Sequence, residues 1–247
     1  MTPQTTHISN SGTFNATHWT VVLLASGQEE SSEATQALER LCRTYWFPLY
    51  SFLRRKGYSP QDAEDLTQAF FARILEKNYL KAVDPRKGKF RSFLLAALDH
   101  FVANEWRRAN TQKRGGKVSF LSFDDHMAEH RYLQEPASEL SAERVLEQRW
   151  ATALLEQVLS RLREEFQAAG KIETFEAIKI FLTGEKKPAA YAELATRLKT
   201  TEPALKMAVS RLRQRYGELL RAEIANTVSS PEEVEEELRS LFAALSS

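Results

Sequence analysis

The sequence predicts an all-α protein built from two small helical domains, a flexible linker between them and a C-terminal helical extension. Only 9 glycines and 8 prolines occur in 247 residues, which favours long helices with few turns. Apolar residues recur at helical spacing on both sides of a stretch without sustained periodicity, residues 115–140. We therefore place the boundary between the two domains in that stretch.

The expected organisation has five parts. Residues 1–17 are polar and are expected to be disordered. The remaining parts are a first helical domain (18–114), the linker (115–140), a second helical domain (141–216) and an acidic extension (217–247).

One helix of the first domain has clear start signals and two distinct faces. Ser59 suits the N-cap and Pro60 the first helical position. The stripe that we expect to be buried consists of Ala63, Leu66, Phe70 and Ile74. Beside it, Glu64, Asp65 and Gln68 form an acidic, amide-rich face that suits a protein partner, although a solvated helix surface is the alternative.

A second helix begins at Phe90, and its two sides also differ. Leu94, Ala97, Leu98 and Phe101 share one side. The opposite side is polar and partly basic, with His100, Asn104 and Arg107, and the basic character continues with Arg108, Lys113 and Arg114, which suits contact with a polyanion.

Residues 191–215 have the pattern of a helix-turn-helix. Tyr191, Leu194, Ala195 and Leu198 form the apolar stripe of the first helix, and Leu205, Val209, Leu212 and Tyr216 form that of the second. Thr201 suits the N-cap, and Lys199 stands where such a turn often has glycine, which predicts a corner that is either strained or differently shaped. The residues expected to face DNA are Thr201, Lys206, Met207, Ser210, Arg211 and Arg213. The alternative is an ordinary helical hairpin with a solvated basic face.

The charges are separated along the chain although the formal net charge is only +1. Basic residues concentrate between Arg86 and Lys117 and in the helix-turn-helix, whereas the extension is acidic. Val234, Leu238, Leu241 and Leu245 give that extension an apolar stripe. It either covers apolar surface of the second domain or competes with DNA for a basic surface.

Composition and motifs argue against secretion, membrane insertion and catalysis. One cysteine excludes an internal disulfide, and neither a leader pattern nor a membrane-spanning apolar run is present, so we expect a cytoplasmic protein. No catalytic motif occurs, and we expect neither an enzyme nor a cofactor. One rival remains, a helical metalloenzyme with ligands from Asp124, Asp125, His126 and His130.

Three segments together resemble a bacterial RNA polymerase sigma factor of the sigma-70 family, in its two-domain extracytoplasmic-function group. The first is GYSPQDAEDLTQAFFARILEK, the second KFRSFLLAALDHFVANEWRRANTQKR and the third YAELATRLKTTEPALKMAVSRLRQR. The resemblance implies that Glu64, Asp65, Gln68 and Phe71 contact core RNA polymerase, at the clamp helices of its largest subunit. It also implies that the second segment melts and reads the −10 promoter element and that the third reads the −35 element. By the same resemblance the −10 DNA-binding residues are His100, Asn104, Arg107, Arg108, Lys113 and Arg114.

The resemblance has further consequences for partners, and one alternative stays open. It implies promoter DNA and the flap of the second-largest polymerase subunit as partners, and an anti-sigma factor is a further candidate. The alternative function is a stand-alone helix-turn-helix regulator that binds duplex DNA without polymerase.

Overall fold

The computed structural model describes residues 32–75, 90–111, 128–134, 140–182, 188–228 and 230–246. These ranges contain nine α-helices and no strand, which confirms the all-α class. The helices are α1 (Ser32–Arg55), α2 (Pro60–Leu75), α3 (Phe90–Thr111), α4 (Ala128–Leu133), α5 (Ala142–Ala168), α6 (Ile172–Ile178), α7 (Pro188–Arg197), α8 (Glu202–Ala225) and α9 (Glu232–Leu245), and a 3₁₀ turn, Lys179–Leu182, follows α6.

The helix starts follow the capping residues in the sequence. The hydroxyl oxygen of Ser59 accepts a hydrogen bond from the backbone N–H of Asp62 at 3.1 Å, and that of Thr201 accepts one from Ala204 at 3.3 Å. Ser141 caps α5 in the same way, through the backbone N–H of Arg144. The predicted N-caps Ser59 and Thr201 are therefore confirmed.

Helices α1, α2 and α3 bury their apolar stripes against one another. Phe70 of α2 packs against Phe101 of α3 with ring centroids 5.7 Å apart, and Tyr45 of α1 meets Phe90 edge-on at 5.5 Å. The predicted stripes of α2 and α3 are buried except for Leu66, which is half-buried. This packing leaves one face of α2 and one face of α3 towards solvent.

Helix α5 is the long central element and lies antiparallel to α1. The Thr44 hydroxyl donates to Oε1 of Gln157, and Lys56 Nζ lies 3.2 Å from Oε1 of Glu143 at the other end of the contact. The two parts on either side of the predicted linker thus share one apolar core. The five-part division itself stays a prediction.

Part of the predicted linker is helical. Helix α4 docks on α1 through Glu129. Its carboxylate accepts hydrogen bonds from Nε and Nη2 of Arg54, at 2.9 and 2.8 Å, and from the Tyr50 hydroxyl. The interpretation of residues 115–140 as continuous linker overlooked this anchor. Linker residues 115–127 and 135–139, like residues 1–31, lie outside the described ranges.

The C-terminal helices assemble around the second half of α5. Helix α8 continues through Gly217, so the predicted boundary at residue 216 falls inside a helix whose buried row extends to Leu219 and Leu220. Helix α9 packs on α5 and α8 through Leu238, Leu241 and Ala244. Among the helices that the structure describes, none has the length and apolarity needed to cross a membrane.

Candidate nucleic-acid interface

Helix α2 presents an acidic and amide-bearing surface away from the core. Asp65 is exposed, and Glu64 and Gln68 are half-buried. The Gln68 amide donates a hydrogen bond of 3.3 Å to Oε1 of Glu64, four residues earlier on the same helix. We call Glu64, Asp65 and Gln68 the α2 face; its two carboxylates suit a basic partner surface.

Phe71 does not belong to the α2 face. Its side chain is only 5% exposed, and its ring centroid lies 5.9 Å from that of Phe70 in the core. The sequence interpretation placed Phe71 with the docking residues, but its burial assigns it to packing. A partner could contact its side chain only if the core opened.

Helix α3 carries a row of exposed polar residues that flanks its buried stripe. His100, Asn104 and Arg107 all point to solvent, and the Arg107 Nε donates to the carbonyl of Ala103 at 3.2 Å along the helix. We call these three residues the α3 row. The side chain of Arg108, and the whole of Lys113 and Arg114, lie outside the described residues.

Trp106 immediately precedes Arg107 of the α3 row in sequence and therefore lies about 100° away from it around the helix, and the sequence analysis did not select it. Its side chain is 66% exposed, although tryptophan is usually largely buried. The available signal was its position on the polar side of an amphipathic helix, immediately before two arginines. An exposed aromatic ring beside cations is the combination that stacks on and neutralises single-stranded nucleic acid.

Helices α7 and α8 are joined by a tight corner at residues 198–201. The backbone of Lys199 has a φ of 51°, in the left-handed region. The N–H of Thr200 donates to the carbonyl of Ala195, and the N–H of Lys199 to that of Thr196, which closes α7 with a Schellman motif. The expected strained corner is therefore present, with lysine in the position that favours glycine.

The buried side of α8 holds it against the rest of the domain. Leu205, Val209 and Leu212 are buried as predicted, and Tyr191 of α7 stacks on Phe181 with ring centroids 4.4 Å apart. The α7–α8 pair is thus fixed on the 3₁₀ turn, and the opposite side of α8 is determined by helical geometry.

That opposite side of α8 is accessible. Lys206, Met207, Ser210 and Arg211 are exposed, Met207 by 56%. Lys206 Nζ lies 3.5 Å from Oε2 of Glu202, an exposed contact that contributes little to stability. We call these four exposed residues the α8 row; its cations and one long apolar side chain suit contacts with phosphates and base edges in a major groove.

Arg213 and Thr201 have other roles than the α8 row. Both Nε and Nη2 of Arg213 donate to the carbonyl of Phe181, at 3.0 and 2.7 Å. The assignment of Arg213 to the DNA-facing set is corrected accordingly, because this side chain points into the protein and closes the 3₁₀ turn. Thr201 is exposed, and its hydroxyl oxygen serves as the N-cap of α8.

Metal binding gains no support from the described part of the chain. No three or more His, Cys, Asp or Glu side chains there form a group that could hold a metal ion. His130 pairs with the Gln134 amide at 3.3 Å, and Asp124, Asp125 and His126 lie outside the described residues.

Comparison with known proteins finds a family match for one segment of the chain. Residues 41–112 match the family model of sigma-70 region 2. The match begins within α1 and ends just beyond α3, so it contains the α2 face, the α3 row and Trp106 but not α7 and α8. No curated protein matches the chain. No solved structure matches it either.

Proposed function

We propose that this protein is a sigma factor, which binds core RNA polymerase and directs it to promoters in the cytoplasm. The observation that carries the proposal is the coincidence of the region 2 match with a folded α1–α3 unit that presents two chemically different surfaces. The α2 face is acidic and amide-bearing, as a protein-docking surface requires. The α3 row and Trp106 combine a cation with an exposed aromatic ring, as strand capture requires.

The α2 face is the proposed contact with the clamp helices of the largest polymerase subunit. The −10 element is read by the α3 row together with Trp106, Arg108, Lys113 and Arg114. The −35 element is read by the α8 row, supported by the tight corner that sets α8 against α7. This two-surface arrangement supports a place in the extracytoplasmic-function group, with the polymerase flap and an anti-sigma factor as further partners.

The test is capture of purified bacterial core RNA polymerase by the tagged full chain, followed by run-off transcription from a promoter library. Asp65→Ala with Gln68→Ala removes one carboxylate and one amide from the α2 face. We expect a nearly unchanged melting temperature, since both side chains lie on the surface of α2, where substitutions usually cost under about 0.5 kcal/mol, and a loss of polymerase capture.

The matched control is Glu173→Ala with Gln167→Ala, which removes the same two chemical groups from exposed positions on α6 and α5. It should capture polymerase as the unmodified chain does. Equal capture by both double variants would remove the α2 face from the polymerase contact. Failure of the unmodified chain to capture polymerase, together with tight binding of a duplex, would favour the stand-alone regulator.

A further inference from the structure

Helix α5 joins residues 41–112, which we call the region 2 segment, to the α8 row through contacts at both of its ends. Its first half lies along α1 from Glu143, at Lys56, to Gln157, at Thr44, a length of about 21 Å at 1.5 Å per residue. Its second half holds α8, where Glu165 pairs with the fork of Arg215 at 2.7 and 2.8 Å. The α3 row and the α8 row are therefore carried by one body.

Helix α9 adds a buried ion pair between α3, in the region 2 segment, and the C-terminal helices. Nη1 of Arg91, in the first turn of α3, lies 3.0 Å from Oε1 of Glu237, with side-chain exposures of 11% and 2%. The Arg91 guanidinium also lies 4.5 Å from the ring centre of Trp150 on α5. The adjoining Phe90 N–H donates to the carbonyl of Thr227, just after α8.

This compact arrangement is too small to read two promoter elements at once. A compact chain of this length has a radius of gyration of about 18 Å and hence a diameter of about 46 Å. Elements centred near −10 and −35 lie about 25 base pairs apart, which is about 85 Å of duplex at 3.4 Å per base pair. Reading both on straight DNA requires the α3 row and the α8 row to separate.

We propose that the structure is a closed state of the chain and that α9 is a latch which, together with the apolar α1–α5 contact, holds it closed, with Arg91 and Glu237 as its release point. The purpose assigned to the latch rests on the proposed function, whereas the latch itself does not. A buried ion pair suits reversible closure, because both charges regain water when the latch opens, so that the pair adds little net stability to the closed state. Removing Glu237 leaves the Arg91 charge buried without this counterion and favours opening. Replacing both by apolar side chains favours closure.

Opening can be measured without polymerase or DNA by the reaction of a buried cysteine with a thiol reagent. In a Cys42→Ser background the chain has no other cysteine. Ala151→Cys places a reporter beside Trp150, at a fully buried position of α5, and Ala63→Cys places one at a fully buried position of α2, within the region 2 segment. The first reporter reacts when the two parts separate, and the second reacts only when the α1–α3 unit unfolds.

Each reporter is measured in three backgrounds. Glu237→Ala should raise the labelling rate at position 151 about tenfold or more and leave the rate at position 63 nearly unchanged. Arg91→Met with Glu237→Leu should lower the rate at position 151 by about tenfold and raise the melting temperature. The matched control, Glu236→Ala, removes the neighbouring exposed carboxylate of α9 and should change neither rate.

Two outcomes overturn the latch. Equal rises at positions 151 and 63 in the Glu237→Ala chain would mean that the whole chain unfolds rather than opens. An unchanged rate at position 151 in both the single and the double variant would mean that the pair does not control opening. Both results are independent of polymerase capture, so a failure of the proposed function would leave the labelling pattern intact.

Discussion

At the scale of single residues, three helices end in the same way with different residues. Gly57 and Gly170 have φ values of 94° and 67° after α1 and α5, and Lys199 has 51° after α7. In each case two backbone N–H groups close the last turn. A β-carbon in this region is disfavoured, so Lys199 is the one of these three positions at which the backbone carries strain.

Replacing Lys199 by glycine should therefore stabilise the protein by about 0.5–1 kcal/mol, somewhat less than the full strain because glycine also gains freedom in the unfolded chain. For a chain of this size the melting temperature should rise by about 1–4 °C. Thermal unfolding followed by circular dichroism measures it. Lys199→Ala is the control, since it removes the charge and keeps the β-carbon; an equal gain in that variant would attribute the effect to charge instead.

Arg211 and Arg213 lie two residues apart on α8 and should respond oppositely to alanine substitution. Arg211 is exposed in the α8 row, where its planar fork can pair with a guanine edge. Arg211→Ala should cost about 1–3 kcal/mol of promoter binding and relax the preference at one −35 position. Arg213→Ala should lower the melting temperature, because the Phe181 carbonyl loses both donors, and leave the preference unchanged.

A promoter library transcribed by the reconstituted polymerase complex distinguishes these two variants. If Arg213→Ala alters the preference at constant melting temperature, then base reading involves Arg213 and its assignment to the 3₁₀ turn is incomplete. If the Arg211→Ala protein retains the full sequence preference at every −35 position, Arg211 does not read a base.

At the scale of helices, sequence periodicity predicted most elements, and tertiary contacts account for the differences. The starts of α2 and α8 followed from Ser59 and Thr201 because N-capping is a local effect. Helix α4 was missed because six residues are too few for a periodic signal, and its position depends on Arg54, 75 residues earlier. The same limit applies to Arg213, whose partner, the Phe181 carbonyl, belongs to the 3₁₀ turn, and to Phe71, whose burial is a result of tertiary packing.

The anchor of α4 should depend on pH. Hydrogen bonds from Arg54, and then from Tyr50, hold the pKa of Glu129 below its usual value. Because the folded-state pKa is the lower one, the stabilisation is present above the ordinary glutamate pKa of about 4.3 and is lost as the pH falls through the folded value. The melting temperature of Glu129→Gln should thus lie below that of the unmodified chain at pH 7, and the gap should narrow towards about pH 3.

Glu156→Gln is the control for this pH dependence. Glu156 pairs with Arg131 of α4 at 3.4 Å, but both side chains are largely exposed. We expect no gap in melting temperature at any pH, as for most surface ion pairs. A gap for Glu129→Gln that stayed constant down to pH 3 would show that the carboxylate charge does not contribute to the anchor.

At the scale of the whole molecule, the sequence predicted the surfaces better than their arrangement. The α2 face, the α3 row and the α8 row follow from helical faces, which are local properties. The shared core of α1 and α5 depends on which apolar stripes meet, and periodicity carries no such information. The acidic extension illustrates both cases, because its stripe predicted docking through Leu238 and Leu241 but gave no indication of the Arg91 contact.

Ending the chain at Ser230 should lower the melting temperature and leave the affinity for a duplex with a −35 element alone unchanged. The reason is that α9 buries apolar side chains, while the α8 row is already exposed in its presence. Fluorescence anisotropy with the labelled duplex measures affinity. Changing Glu232, Glu233, Glu235 and Glu236 together to glutamine is the control for charge, and tighter DNA binding by that variant would support the competing-tail interpretation instead.

The antiparallel contact of α1 with α5 also bears on how the protein is made. Thr44 meets Gln157, which is 113 residues later in the chain. At about 5–20 residues per second, the apolar stripe of α1 leaves the ribosome roughly 6–20 seconds before the partner helix has been synthesised. During that interval α1 lacks α5, so we expect the nascent α1–α3 unit to expose apolar side chains and to depend on chaperones, and a chain released before α5 to be prone to aggregation.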